Sequence, residues 1–282
     1  MQYQTLDVEK MKKVILITGA SSGMGKESAK ALIQQGHIVY TAARRIENMQ
    51  DLKLLGGHPI QMDITKESDI ELVVNTIIAE QGKIDVLWNN AGFGLYGSVE
   101  DVPLDEARKQ MEVNVFGIAA MTQKVVPHMR KVRSGTIINT SSMGGKMYFP
   151  MGAWYHASKH AVEGLSDCLR LELKPFNIKV VVLEPGFIAT EFGSVLLDQF
   201  DQLPKDSAYK NMMDKIRKGT ADAAKGNGSS SPKVIADAIL KIVNSRNPKT
   251  RYKVGKFSVM MPRMRIYLGD KLFDSIVMSQ MK

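Results

Sequence analysis

The sequence predicts an α/β fold, a doubly wound parallel sheet of the Rossmann type, in a single domain spanning 1–282. Short β-branched apolar runs alternate with helical stretches through most of the chain. Each crossover is long enough for the right-handed βαβ connection that parallel strands demand. A glycine-rich turn stands directly after the first apolar run, where such sheets hold ligands.

Residues 14–18 (VILIT) read as a strand buried on both faces, because no polar residue alternates with the apolar ones. The turn follows, then a helix over 26–35 ended by Gly36, and a second strand over 38–42. A short strand at 59–62 precedes Asp63, and 67–80 is helical. A strand at 84–88 leads to one long helical pattern over 104–129. Residues 136–139 make a fifth strand, 157–173 a helix and 178–183 a sixth strand.

The pattern loosens after Gly186. Residues 187–231 contain Pro204, a charged helix-like piece and a Gly/Ser-rich end before Pro232. Such a segment is either a linker or a cover over the ligand crevice. Too little chain follows for a further domain, so a substrate lid is expected. A helix at 234–243 and a strand at 251–254 complete the pattern, leaving 256–282 as a C-terminal extension.

The hydrophobic fraction of 44% and charged fraction of 24% place the chain among ordinary globular proteins. A chain of this length needs no covalent staple. Its single cysteine, Cys168, has no partner, in keeping with a reducing cytoplasm, the expected location. No apolar run nears the roughly 18 residues of a membrane-spanning helix. The first ten residues lack a basic region and apolar core, so no signal peptide is read. The net charge of +9 can attract nucleic acid, membranes or anionic small molecules. No nucleic-acid motif accompanies it, and an anionic cofactor suffices.

The turn reads Thr18-Gly19-Ala20-Ser21-Ser22-Gly23-Met24-Gly25. Glycines there allow a tight turn and let the backbone approach a pyrophosphate held by the helix N-terminus. A plain structural turn has the same composition; its place after the first strand favours binding. Where an NAD site presents an acid to the adenosine ribose, this chain has Arg44 and Arg45. A guanidinium matches a 2′-phosphate in geometry and charge, so NADP is expected. Glu47 nearby keeps open the alternative that both arginines are solvated.

Tyr155 and Lys159 are four apart, on one helix face and about 6 Å apart along the axis. A nearby ammonium favours the phenolate and is expected to lower the tyrosine pKa, making it a usable acid or base. Alone, this pair is common on amphipathic helices. Ser142 adds weight, thirteen positions upstream at the end of the fifth strand. So do Asn89-Asn90-Ala91-Gly92 at the end of the fourth strand, and Asn114.

With these motifs in this order the chain resembles the short-chain dehydrogenase/reductase family, in its subgroup of roughly 250 residues. The turn at 18–25, the motif at 89–92, Asn114, Ser142, Tyr155 with Lys159, and Pro185-Gly186-Phe187-Ile188-Ala189-Thr190 carry the resemblance over about residues 12–190. It implies hydride transfer between NADP(H) and the carbonyl or secondary alcohol of an apolar small molecule. Tyr155 would exchange the proton and Ser142 would orient the carbonyl. Lys159 would bind the nicotinamide ribose and lower the Tyr155 pKa, while Asn114 would hold a water. Asp63 would contact adenine, Asn90 the adenosine side, and Ile188 and Thr190 the carboxamide and phosphates. Pro185 and Gly186 belong to the same cofactor segment. Family members are commonly dimers or tetramers, so a homo-oligomer is expected.

Phe93, Leu95, Tyr96, Met147 and Phe149 are expected to line an apolar pocket, in which several of the 18 methionines act as pliable filling. Cys168, among Leu165, Leu169 and Leu171, reads as a packing residue. His156 and His160 have metal-bracketing spacing but no third ligand. Membrane contact is not expected: the C-terminal segment is amphipathic and basic, yet Pro262 and Gly269 interrupt any helix, so it should pack on the lid or a second subunit. A non-catalytic NADP(H)-binding sensor on the same fold is the competing reading. It would tolerate loss of the catalytic groups, which are all present.

Overall fold

The structure, a computed structural model, describes residues 12–191, 196, 198–199, 204–225 and 228–281. Among these residues seven strands form one parallel sheet. They are β1 (Val14–Thr18), β2 (Ile38–Ala43), β3 (His58–Gln61), β4 (Val86–Asn89), β5 (Gly135–Thr140), β6 (Ile178–Pro185) and β7 (Arg251–Val254). Their order is β3-β2-β1-β4-β5-β6-β7. The chain runs outward from β1 in one direction and from β4 in the other. The crevice beyond their carboxyl ends is therefore the topological switch point where open sheets bind ligands.

Helices cover both faces. On one side Val14, Leu16, Leu87 and Ile137 pack against α3 (Glu67–Gln81) and α5 (Gly117–Lys131) through Val73, Ile77, Met121 and Val125. On the other, Ile15, Ile17, Trp88 and Val181 meet α1 (Gly23–Gln34) and a helix at Lys233–Asn244 through Leu32, Ile235 and Ile239. Alternate residues of β1 feed opposite layers, which is why its sequence is apolar throughout.

The remaining helices are α2 (Gln50–Leu54), α4 (Leu104–Met111), α6 (Ala153–Leu173), α7 (Lys210–Lys225), α8 (the Lys233–Asn244 helix) and α9 (Met260–Ser279). The helix expected over 104–129 is interrupted by a π-helical turn at Glu112–Phe116 between α4 and α5. Helix α6 starts at Ala153 rather than 157, which puts Tyr155 in its first turn. Strand β4 starts at Val86, and the Asp85 carboxylate just before it accepts the Val14 amide at 2.8 Å.

Two readings of the chain are corrected. Cys168 is exposed, not a packing residue. The buried side of α6 includes Tyr155, His156, Ser158, Lys159, Val162, Glu163 and Ser166; Leu169 packs on the core, but Cys168 one position earlier turns outward. Pro262 does not interrupt α9, since it sits in the first turn, where a backbone N–H needs no helical partner. Gly269 does break the helix, with φ of 70° at a kink.

Of the 187–231 segment, residues 192–195, 197, 200–203 and 226–227 lie outside the described residues, as does the N-terminal stretch 1–11. Its described part packs Leu196 and Met213 on Met151, beside Tyr96. No described helix is long and apolar enough to cross a membrane.

Candidate active site

The glycine turn closes against the end of β4. Gly19 has φ of +69°, and a Cβ there would stand 2.7 Å from the Ala91 Cα. A Cβ on Gly25 would stand 2.6 Å from both the Asn90 Nδ2 and the Gly19 carbonyl. Only glycine fits either place. The Asn90 side chain donates to the carbonyls of Thr18 and Gly19, each at 3.0 Å. The Thr18 hydroxyl accepts the amides of Asn90 and Ala91 at 3.1 and 3.0 Å. Ser22 stands at the N-cap of α1 without a capping side-chain bond, so the positive end of that helix faces the groove.

That groove has a volume of about 780 Å³. Gly19, Ser21, Ser22, Gly23, Met24, Arg44, Asp63, Asn90 and Thr190 all line it. Gly25 lies behind, packed under Asn90. Arg45 lines the groove too, with its guanidinium 3.4 Å from the Ser22 hydroxyl and 3.3 Å from Glu191. Burial raises the Asp63 carboxyl, but hydrogen bonds from the Thr65 amide and hydroxyl, with the charges of Arg44 and Lys66, hold it below the usual carboxylate range. Anion-binding helix end, paired arginines and glycine cradle together fit a phosphorylated dinucleotide.

A smaller cavity of about 150 Å³ opens from the groove. Ser142, Tyr155, Lys159, Pro185, Gly186, Ile188 and Thr190 line it, with Phe93, Tyr96, Met147 and Phe149 as apolar walls. Leu95 lines the larger groove instead. The Ser142 hydroxyl accepts the Gly144 amide at 3.0 Å and is hydrogen-bonded to Tyr155. The Lys159 Nζ lies 5.9 Å from the centre of the Tyr155 ring and donates to the Thr140 carbonyl at 2.9 Å.

Asn114 lines neither cavity. The π turn carries it behind the wall, where its Nδ2 donates to the Phe93 carbonyl (2.9 Å) and the Ser158 hydroxyl (3.0 Å). Its Oδ1 accepts the Phe93 amide at 3.0 Å. Both Asn114 and the Lys159 Nζ crowd Gly92.

The electrostatics depart from expectation at Tyr155. Burial pushes its phenol up, and the Ser142 hydrogen bond only partly offsets that. Lys159 does not reverse the sign, because burial also disfavours its own charge and lowers it to about 8, against the raising influence of Glu163. With no ligand bound, Tyr155 is therefore a protonated acid at neutral pH.

Comparison with known proteins decides the family. A family model described as short chain dehydrogenase matches residues 13–199. The chain belongs to the short-chain dehydrogenase family. It is 40% identical over 269 residues to 3-ketodihydrosphingosine reductase of Bacteroides thetaiotaomicron, covering 93% of this chain and 95% of that protein. Among solved structures, a short-chain dehydrogenase from Streptomyces avermitilis superposes with a TM-score of 0.80 at 30% identity, covering 95% and 94% of the two chains. A serine dehydrogenase complexed with NADP+ superposes at 0.74 with 28% identity, over 84% and 92%. A 3-ketoacyl-(acyl-carrier-protein) reductase from Brucella melitensis complexed with NADH gives 0.72 at 28%, over 85% and 94%. The chain is thus a short-chain oxidoreductase by family, and two of these structural neighbours were solved with a nicotinamide cofactor bound.

Several residues of this dehydrogenase site escape sequence reasoning. Thr140 acts through its carbonyl at a strand end, a position no motif marks, and Thr18, first residue of the glycine turn, acts through a hydroxyl whose partners the motif does not reveal. His156 is a pillar of the catalytic loop: its Nδ1 lies 2.9 Å from the Gly144 carbonyl and its Nε2 accepts the Phe149 amide at 3.0 Å. Both nitrogens are used, and among the described residues no group of three potential metal ligands exists. Glu163, one turn after Lys159, joins Lys146 of the same loop at 3.0 Å and Arg251 of β7 at 2.9 Å.

Proposed function

We propose that this protein is an NADPH-dependent reductase of a ketone carried on a bulky, long-chain apolar molecule. One observation carries the reading: Tyr155, buried, hydrogen-bonded to Ser142 and with the Lys159 ammonium 5.9 Å from its ring centre, lines a small cavity walled by Met and Phe side chains. The relative named 3-ketodihydrosphingosine reductase supports a long-chain amphiphile of that type as the substrate class.

Arg44 and Arg45 hold the 2′-phosphate, the first turn of α1 the pyrophosphate, Asp63 the adenine end, and Ile188 and Thr190 the nicotinamide end. The cofactor, when bound, supplies the hydride. Ser142 donates to the substrate carbonyl and holds it toward Tyr155. The Tyr155 hydroxyl gives its proton to that oxygen, and its raised pKa keeps the proton in place until the oxygen becomes basic. Lys159 keeps a positive charge beneath the ring below pH about 8 and stabilises the phenolate left behind. Asn114 holds the Phe93 main chain as a wall.

The lid excludes water. The Gln199 side chain is bonded to the Tyr96 amide (3.1 Å) and the Gly94 carbonyl (2.7 Å), and Tyr96 leans on Tyr155 at 5.6 Å. The exposed side chains of Phe116, in the π turn just before α5, and Leu171 on α6 support a homo-oligomer built on these two helices. The single exposed cysteine accords with a reducing cytoplasm.

The test is NADPH oxidation against a ketone panel that includes 3-ketodihydrosphingosine. Wild type turns over long-chain ketones, and Tyr155→Phe loses at least about 100-fold in kcat while its affinity for NADPH stays unchanged. No turnover across the panel, or full activity in the variant, refutes the reading.

A further inference from the structure

We infer that the exposed face of α9 docks this protein on an anionic lipid surface, with the mouth of the catalytic cavity beside the docked face. Helix α9 has two unlike sides. One is consumed by the protein: Phe273 and Val277 pack on Met147 and Tyr148, the loop that walls the active site. The Tyr148 hydroxyl donates to Asp274 at 2.9 Å and Arg265 lies over its ring.

The other side carries Met260, Arg263, Ile266 and Tyr267, which fall within about a third of a turn of one another at 100° per residue. Ile266 is 64% and Tyr267 81% exposed. Arg263, also exposed, stands in the middle of the apolar group. After the kink Lys271 is exposed beside Asp270 and Asp274, so the positive charge of the face itself rests on Arg263, in a chain that carries +9 as a whole. A face that presents large apolar side chains around an arginine, on a basic protein, suits an interface with anionic lipid headgroups. No described helix crosses a bilayer, so contact of this kind is peripheral.

The apolar surface continues to the cavity. Exposed Phe257 and Val259 immediately precede α9. Phe257 has φ of 64°, a costly backbone state for a residue other than glycine, and its ring sits edge-on to Phe187 at 5.9 Å. Phe187 is itself half exposed and half a wall of the catalytic cavity. A long-chain molecule can thus leave a bilayer at Phe257 and enter past Phe187. This last point rests on the proposed substrate class; the docking does not, and the test separates them.

The full chain is sedimented with vesicles of phosphatidylcholine containing phosphatidylglycerol, without substrate, and turnover is followed separately with NADPH and a water-soluble ketone. The wild type sediments with these vesicles, and not with pure phosphatidylcholine or in high salt. Arg263→Glu removes two units of favourable charge and weakens binding about 25-fold, at about fivefold per charge. Ile266→Asp with Tyr267→Asp abolishes it. Turnover of the soluble ketone is unchanged in both variants. Wild type that stays in the supernatant overturns the proposal. So does an apolar variant that keeps vesicle binding but changes the oligomeric mass, for the face is then a subunit interface. If the double variant fails to fold, Arg263→Glu alone decides.

Discussion

Lys159 donates its Nζ to the carbonyl oxygen of Thr140, 2.9 Å away, at the end of β5. The ammonium is buried, and this carbonyl is a weak substitute for water. Its pKa of about 8, against an ordinary 10.5, measures the shortfall. Between those two values the unfolded chain binds the proton that the folded one releases. Stability therefore rises with pH through that window and is lowest below pH 8.

Removing the charge should make the protein more stable and useless. The shift corresponds to about 3 kcal/mol. Lys159→Met is expected to gain about 2 kcal/mol at pH 7 in urea unfolding, after the loss of one hydrogen bond, while ketone reduction disappears. A variant less stable than the wild type contradicts the account of Lys159.

Cofactor choice rests on charge in the groove. Arg44→Ala should raise the KM for NADPH about tenfold, as expected for losing a hydrogen bond to a charged group, and leave that for NADH nearly unchanged. Arg45→Ala should do less, because Arg45 already pairs with Glu191. Steady-state kinetics with both cofactors checks this; equal cofactor use by the wild type rules it out.

His156 is held neutral by burial foremost, which, with His160 acting in the same direction, outweighs the backbone hydrogen bonds to Gly144 and Met147. Its folded pKa lies below 6.5, so the unfolded chain gains the proton first. The stability it contributes is present above pH 6.5 and lost as pH falls below that value. His156→Ala is expected to cost about 2 kcal/mol at pH 7, the penalty for orphaning the Phe149 amide, and to remove part of this acid-side slope. Thermal melts of both proteins between pH 5 and 7.5 provide the measurement.

The Ser142, Tyr155 and Lys159 constellation was legible in the sequence, because strand ends and a helical i,i+4 spacing fix where those side chains point. The glycine turn was legible for the same reason: only one residue type fits against Ala91. Asn114 was legible as a residue but not as a place, since no propensity marks the π turn that swings it behind Phe93. Cys168 misled because α6 buries many polar residues. Leu169 packs on the core as the apolar period suggests, but Cys168 beside it faces outward. The opposite sign at Tyr155 was hidden too, since burial is a property of the whole packed site and not of two residues four apart.

Arg251 answers for three carboxylates, of which Asp167 lies 2.8 Å away. The guanidinium lies 2.9 Å from Glu163 and 3.1 Å from Glu184, which is fully buried and whose carboxyl is pushed up by burial and by Glu163. Arg251→Met should cost about 3–5 kcal/mol, the usual result of stranding buried charge. The loss should shrink in acid as Glu184 takes up its proton. Urea unfolding at pH 7 and pH 5 tests both halves, and equal losses at the two pH values would falsify the assignment.

The same arginine sets an order of events during synthesis. Glu163 emerges from the ribosome 88 residues before its guanidinium partner. Until β7 is made, Glu163 on the helix that carries Tyr155 and Lys159 has Lys146 as a partner but lacks the guanidinium. The nucleotide half of the sheet can collapse early, while the catalytic helix gains its last charge partner only when nearly the whole polypeptide is made. A nascent chain stalled short of residue 251 is thus expected to be a loosely packed species that chaperones engage, without reductase activity of its own.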